Sequence, residues 1–207
     1  MESPSMNSAV LTSAAILIFS GAAMLAAPSA SKKPGTSPTR TATSSQQAAP
    51  DPFVGAPAAK FDDVKSIDSV MTALYDVISG PPGERDWNRF RSLFIPTAHL
   101  TSTSIAQDGS VRVHPNSVDE YAKGAGGYFL KNGFFENPIV NRVQTYGNVA
   151  QVFSSYESRH AAGEAPFARG INSIQLLNDG KRWWIVSILW DSERPGNPLP
   201  KEYATKP

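Results

Sequence analysis

The chain has 207 residues, 41% of them hydrophobic and 10% aromatic, with a formal net charge of +1. That is enough chain for one domain with a sizeable core, and the charge gives no footprint for a nucleic-acid partner. The absence of cysteine excludes disulfides, thiolate metal sites, a cysteine nucleophile and a lipidated cysteine.

The chain opens with an apolar stretch from Ala9 to Ala27, followed by Lys32 and Lys33. Residues 1–27 read as an export signal, or as an N-terminal membrane anchor if uncleaved, since about 20 apolar residues span a bilayer. Either way the folded part is expected outside the cytoplasm, periplasmic or secreted, touching a membrane only through this segment. In residues 28–60, Pro, Ser, Thr and Ala fill 22 of 33 positions. Such a composition cannot bury enough surface to offset its ordering entropy and reads as a disordered linker. The domain is then expected over 61–207.

A helix is expected from about Asp62 to Ile78, with Val64, Ile67, Met71, Leu74 and Ile78 on one face and Gly80-Pro81-Pro82-Gly83 as its stop. Asp86 caps a second, shorter helix carrying Trp87, Phe90, Leu93 and Phe94. Leu100 to Ile105 and Val111 to Val113 flank an Asp108-Gly109 turn, and their polar outward positions suggest a sheet edge. Ser117 and Glu120 form a capping box that starts a third helix running through Tyr121 towards Phe129. Gly124, Gly126 and Gly127 follow a helix start rather than a strand, so close helix packing explains them better than phosphate binding. Ile139 to Tyr146 and Val149 to Arg159 form a hairpin about Gly147-Asn148.

The last hairpin runs from Gly170 to Asp191 about Asp179-Gly180. A two-residue turn pairs Leu176 with Trp183, Ile174 with Ile185 and Asn172 with Ser187 on one face. The other face then carries Ile171, Ser173 and Gln175 opposite Trp184, Val186 and Ile188, with Trp190 beyond. Helices of one chain cover one side of a sheet, so Gln175, Trp184, Val186, Ile188 and Trp190 are the candidate interface of a homodimer. The alternative is that the tail from Pro195 to Tyr203 folds back over them. Helices followed by runs of strands argue an α+β fold with helices on one face of a curved sheet.

The segments DWNRFRSLFIPTAHL, VAQVFSSYESR, GINSIQLLNDGKRWWIVSILWDSE and NPLPKEY resemble the nuclear-transport-factor-2-like superfamily, its SnoaL-like branch in particular. The resemblance covers about residues 61–203. It implies three N-terminal helices packed in a strongly curved antiparallel sheet, a cone with a pocket at its wide end, and pairing of sheets in a dimer. The superfamily spans isomerases, dehydratases, polyketide cyclases and binding modules, so fold does not choose among them.

Its enzymes use a pocket carboxylate or histidine as base and a hydroxyl or protonated acid to hold an oxyanion. His99 and Asp191 are the catalytic candidates, against bland readings as a sheet-edge histidine and a strand-end cap. The expected ligand-binding set is His99, Tyr121, Phe129, Asn172, Trp183 and Ser187. His99, His114 and His160 show no metal-ligand spacing, Glu157 and Arg159 read as a rim ion pair, and no nucleophile elbow, phosphate loop or dinucleotide motif is present. No metal and no cofactor are therefore expected. The reading is an exported protein that binds a small apolar or amphipathic ligand. The alternatives are a cofactor-free isomerase, dehydratase or cyclase, and a protein-interaction module working through the outer sheet face.

Overall fold

The computed structural model of the protein describes residues 51–205. The signal or anchor at 1–27 and the linker at 28–50 lie outside the described residues. The elements are α1 (Phe61–Val64), α2 (Ile67–Ile78), α3 (Trp87–Ser92), β1 (Phe94–Ile105), β2 (Val111–Ser117), α4 (Val118–Phe129), β3 (Phe135–Tyr146), β4 (Val149–Arg159), β5 (Ala168–Asn178), β6 (Trp183–Ser192) and α5 (Lys201–Ala204). The α+β class is as expected. The first expected helix is two: Ser66, in an extended conformation, accepts a hydrogen bond from Ser69 N and starts α2 afresh, as an N-cap does. Both sides of the capping box form at the start of α4, between Ser117 and Glu120. The Asp86 side chain accepts from Arg89 N to cap α3.

All six strands form one sheet in the order β2-β1-β6-β5-β4-β3, curved around the helices. The edge position expected for the β1–β2 hairpin is observed. An all-antiparallel sheet is not, because β1 and β6 run parallel. That contact joins the first strand to the last across α4 and four strands, and local turn signals do not report it. Alternate residues of β5, namely Gly170, Asn172, Ile174 and Leu176, are buried on the helix side. They join Val70, Leu74, Phe90 and Phe94 in the core. Gly126 contributes as close packing predicts, since a Cβ there would lie 3.2 Å from the Trp87 ring.

The final hairpin departs from the two-residue register. Asn178 pairs with Trp183, leaving a four-residue loop, and the ladder shifts between Gln175 and Leu176. Asp179 holds this loop by accepting from the backbone N–H of Lys181 and Arg182, both at 2.8 Å. Partners differ from the two-residue register along the whole of β6, and past Val186, the extra residue of the bulge, its side chains also change face. Ile174 therefore faces Ile188, Asn172 faces Trp190 and Gln175 faces Ser187.

The dimer patch drawn on the two-residue register is consequently not one face. Ile188 is buried on the helix side against Ile174, and Trp190 points inward to Tyr121 at 6.2 Å between ring centroids. Trp184 is buried too, but by groups on the outer side. Phe53 stacks on it at 4.8 Å, the Arg182 guanidinium lies 3.6 Å from its ring, and its indole N–H donates to Asp179 Oδ2. Val186 occupies the bulge, and on the outer face Gln175 remains partly accessible beside the covered Trp184, accompanied by Gln151, whose side chain accepts from it. Phe53, Ala56 and Ala59 pack on the core, so the domain starts at Asp51 and the linker boundary expected at 60 is too late. The C-terminal segment folds back as well: Tyr203 meets Phe153 edge-on at 5.5 Å, and Arg169 donates to the carbonyl of Ala204.

Candidate functional site

Residue Glu136 stands at the start of β3, next to the C-terminus of α2. Gly80 and Phe134 exchange both backbone hydrogen bonds, at 2.7 and 3.0 Å, and so tie the end of α2 to the start of β3. The Ser79 hydroxyl accepts from Glu136 N at 3.0 Å and donates to Tyr75 O at 2.7 Å. Arg85 secures the same corner by donating to the carbonyls of Ile78, Pro81, Gly83 and Gly80. The backbone carrying Glu136 is thus fixed from three sides.

Its carboxyl accepts from the Ser158 hydroxyl at 2.8 Å. Burial pushes its pKa up to about 7, and Ser158 and the Asn172 amide moderate that rise by supporting the charged form. Around it stand three tyrosines. Burial first, and then the Glu136 charge, raises the pKa of Tyr75, Tyr121 and Tyr156, so all three remain protonated hydroxyls at neutral pH.

Hydrogen-bond direction can be assigned through part of this cluster. Ser154 Oγ donates to Asn141 Oδ1 at 2.6 Å, so in the 2.6 Å contact between Tyr75 and Ser154 the tyrosine is the donor. Tyr75 in turn accepts from Asn172 Nδ2 at 3.2 Å. The chain Asn172 to Tyr75 to Ser154 to Asn141 is therefore polarised one way. Among the described residues, no hydrogen bond uses the Asn141 amide N–H groups. The Tyr121 hydroxyl has no hydrogen-bond partner among the described residues, while its ring is held between Phe90 and Trp190. Tyr156 reaches Ser192 at 3.3 Å across Gly170, where a Cβ would sit 2.6 Å from the tyrosine oxygen and 2.4 Å from Asp191 O. Glycine is required there by close approach.

The cluster is open on one side. Between α2 and β3 lies a groove of about 470 Å³ lined by Met71, Thr72, Tyr75, Ser79, Glu136 and Asn141, with Asp68, Asp76, Asn137 and Pro138 completing its wall. An interior carboxyl of near-neutral pKa, flanked by hydroxyl donors and reachable from a partly apolar groove, can both accept and return a proton on a bound molecule.

The residues named from sequence are distributed differently. Tyr121 and Asn172 belong to the cluster. Phe129 is in the core, stacked on Phe134 and Trp87. Trp183 packs at the far, loop end of the sheet. His99 is exposed on the outer face beside Ser187, which faces Gln175 there and not Asn172 as a two-residue turn requires, so neither lines the interior. Asp191 faces Ile171 on the outer side and binds Arg194 Nη1 at 2.6 Å. Burial alone would raise its pKa, but hydrogen bonds from Arg194 and Thr103 outweigh that and hold the carboxyl below the usual range. It caps the strand end. Sequence reading passed over Glu136, Tyr75 and Tyr156. The signal available was a single carboxylate inside the apolar run Gly133 to Val140, and the shared strand face of Ser154 and Tyr156.

No protein-family model and no curated protein matches the chain. Among solved structures it is similar to a nuclear transport factor 2-like protein of unknown function from Silicibacter pomeroyi DSS-3, at 15% identity and a TM-score of 0.45 over 62% of this chain and 94% of that one. It is also similar to a protein with a cystatin-like fold from Nostoc punctiforme PCC 73102, at 11% identity and a TM-score of 0.48 over 65% and 92%. A third similar structure is a provisionally assigned dehydratase of the nuclear transport factor 2-like family from Streptomyces avermitilis, at 13% identity and a TM-score of 0.46 over 64% and 96%.

Proposed function

We propose that this chain, as an exported protein, binds a small, partly apolar carbonyl compound in the groove between α2 and β3 and that Glu136 moves a proton on it. The observation that carries this reading is the Glu136 carboxyl itself, tuned by burial to about 7 and held by Ser158 at the edge of the groove. At neutral pH such a group is present as base and as acid in comparable amounts, the condition under which proton abstraction and return are both efficient. Abstraction from the carbon next to a carbonyl leaves an enolate whose oxygen needs a donor. Asn141 Nδ2, on the wall of the groove, is a donor not already spent among the described residues. Return of the proton to another carbon isomerises the ligand. If the adjacent carbon bears a hydroxyl, protonating it for departure gives a dehydration, and neither outcome needs a co-reactant.

The test is deuterium incorporation. β,γ-Unsaturated and β-hydroxy ketones incubated with the protein in deuterated water are followed by NMR at the carbon next to the carbonyl. The wild type is expected to speed exchange and Glu136→Gln to abolish the acceleration. Equal exchange by both proteins would remove Glu136 from the chemistry. Binding in the groove without exchange would leave a binding protein.

A further inference from the structure

The groove has a sign. Its wall contains three ionisable carboxylates, Asp68, Asp76 and Glu136, and no lysine, arginine or histidine. Two arginines, Arg85 and Arg89, lie across Asp76 in a separate hollow formed by the Gly80 to Arg89 segment, and both are committed elsewhere; Arg142 follows Asn141 on β3 but is not part of the groove wall. Arg89 is held by Asp63 through two contacts and also pairs with Asp76, while Arg85 spends its donors on backbone carbonyls. On the remaining elements around Glu136, β4 offers Ser158 and Tyr156, β5 offers Asn172, and α2 and α4 offer Tyr75 and Tyr121, all neutral. The Glu157–Arg159 pair next to Asn137 cancels itself.

Resting on the site reading above, we infer that the groove selects a cationic amphiphile, an amine whose apolar body lies along Met71 and Pro138 and whose ammonium meets Glu136, with Asp68 adding negative charge from the other end of the groove, and that it rejects carboxylates and phosphates. An anionic ligand would find no cation to replace its lost hydration, and the rim carboxylates would repel it before contact. A ketone substrate of this site would accordingly be an amino ketone. The Glu136 charge grows as pH rises through neutrality, so an ammonium ligand tightens over that range while an uncharged analogue of the same shape does not.

The experiment uses phenylbutylamine, phenylbutanol and phenylbutanoate, which share one apolar body and differ in charge. Each is titrated into the full-length protein at low salt while the backbone amide signals of Glu136 and Asn141 are followed. The amine is expected to bind about tenfold more tightly than the carboxylate, with the alcohol between them. Asp68→Asn and added salt should both narrow that gap, and the amine should bind more tightly at pH 8 than at pH 6. A carboxylate that perturbs Glu136 at equal or lower concentration than the amine overturns the inference about charge and leaves the site in place. No perturbation at Glu136 or Asn141 by any of the three removes the site and the inference together.

Discussion

The two faces of the central strands share a backbone and differ in almost everything else. Along β5, Asn172, Ile174 and Leu176 are buried on the helix side, whereas Ser173, Gln175 and Leu177 between them remain partly accessible. The inner face mixes a close-packed apolar core with one polar cluster whose members depend on residues 79 and 97 positions away in sequence, as in the Tyr75 contacts with Ser154 and Asn172. On the outer face a polar row formed by Gln144, Gln151, Gln175, Ser187 and His99 crosses the sheet, and among the described residues a single side-chain hydrogen bond, from Gln175 to Gln151, runs along it. Buried polar groups persist only when satisfied, so the inner cluster is constrained by its surroundings and the outer row by little more than solubility. Chemistry follows that constraint.

The sharpest break of this comparison uses two neighbours. Ile174→Ala removes a side chain with 0% exposure and should cost about 3–4 kcal/mol by denaturant unfolding. Ser173→Ala, one residue away on the outer face, should cost less than about 0.5 kcal/mol. Comparable losses would mean that both faces are covered.

Next in size is the pH dependence of the cluster. The Glu136 carboxyl rises from an ordinary 4.5 to about 7 on folding, so the folded state binds its proton more tightly than the unfolded chain. Its ionisation therefore erodes stability as pH climbs from about 4.5 to 7, and the loss is complete above 7. Glu136→Gln should stabilise the protein at pH 8 by on the order of 2–3 kcal/mol and change little at pH 4. Urea melts of both proteins across that range check the sign: a variant less stable than wild type at pH 8 contradicts it.

On the outer side, Phe53→Ala uncovers Trp184 and should cost about 1 kcal/mol. Acrylamide quenching of tryptophan emission should rise with it. Unchanged quenching would mean that Phe53 does not shield the indole. Smallest of all, His99→Ala and Asp191→Asn should leave groove binding unaltered and shift stability by about 0.5 kcal/mol or less, which a thermal melt and a ligand titration on the same samples would register.

Local chemistry made much of the fold legible. The Ser117–Glu120 box, the Asp86 cap and the turns at Gly109, Gly147 and Gly180, each at positive φ, lie within a few residues of the signals that announce them. What depended on distant partners did not read out. The parallel β1–β6 contact joins the two ends of the domain, and the bulge at Val186 together with the Asp179-held loop reset the register on which Ser187 and the dimer patch had been placed. The site suffered most from that reset. Tyr121 and Asn172 were found through strand and helix faces, but Glu136 becomes informative only once folding encloses it among Ser158, Asn172 and the tyrosines. In sequence it is one carboxylate among 18 acidic residues.

The account therefore stands or falls on the ionisation of that one group. Carbon-13 labelling of glutamate side chains, with Glu136→Gln to assign the signal, gives the titration of the carboxyl directly by NMR. A midpoint near 7, shifted by a ligand bound in the groove, is the result this structure requires; a midpoint near 4.5, indifferent to any ligand, would show a solvated carboxylate and contradict the site.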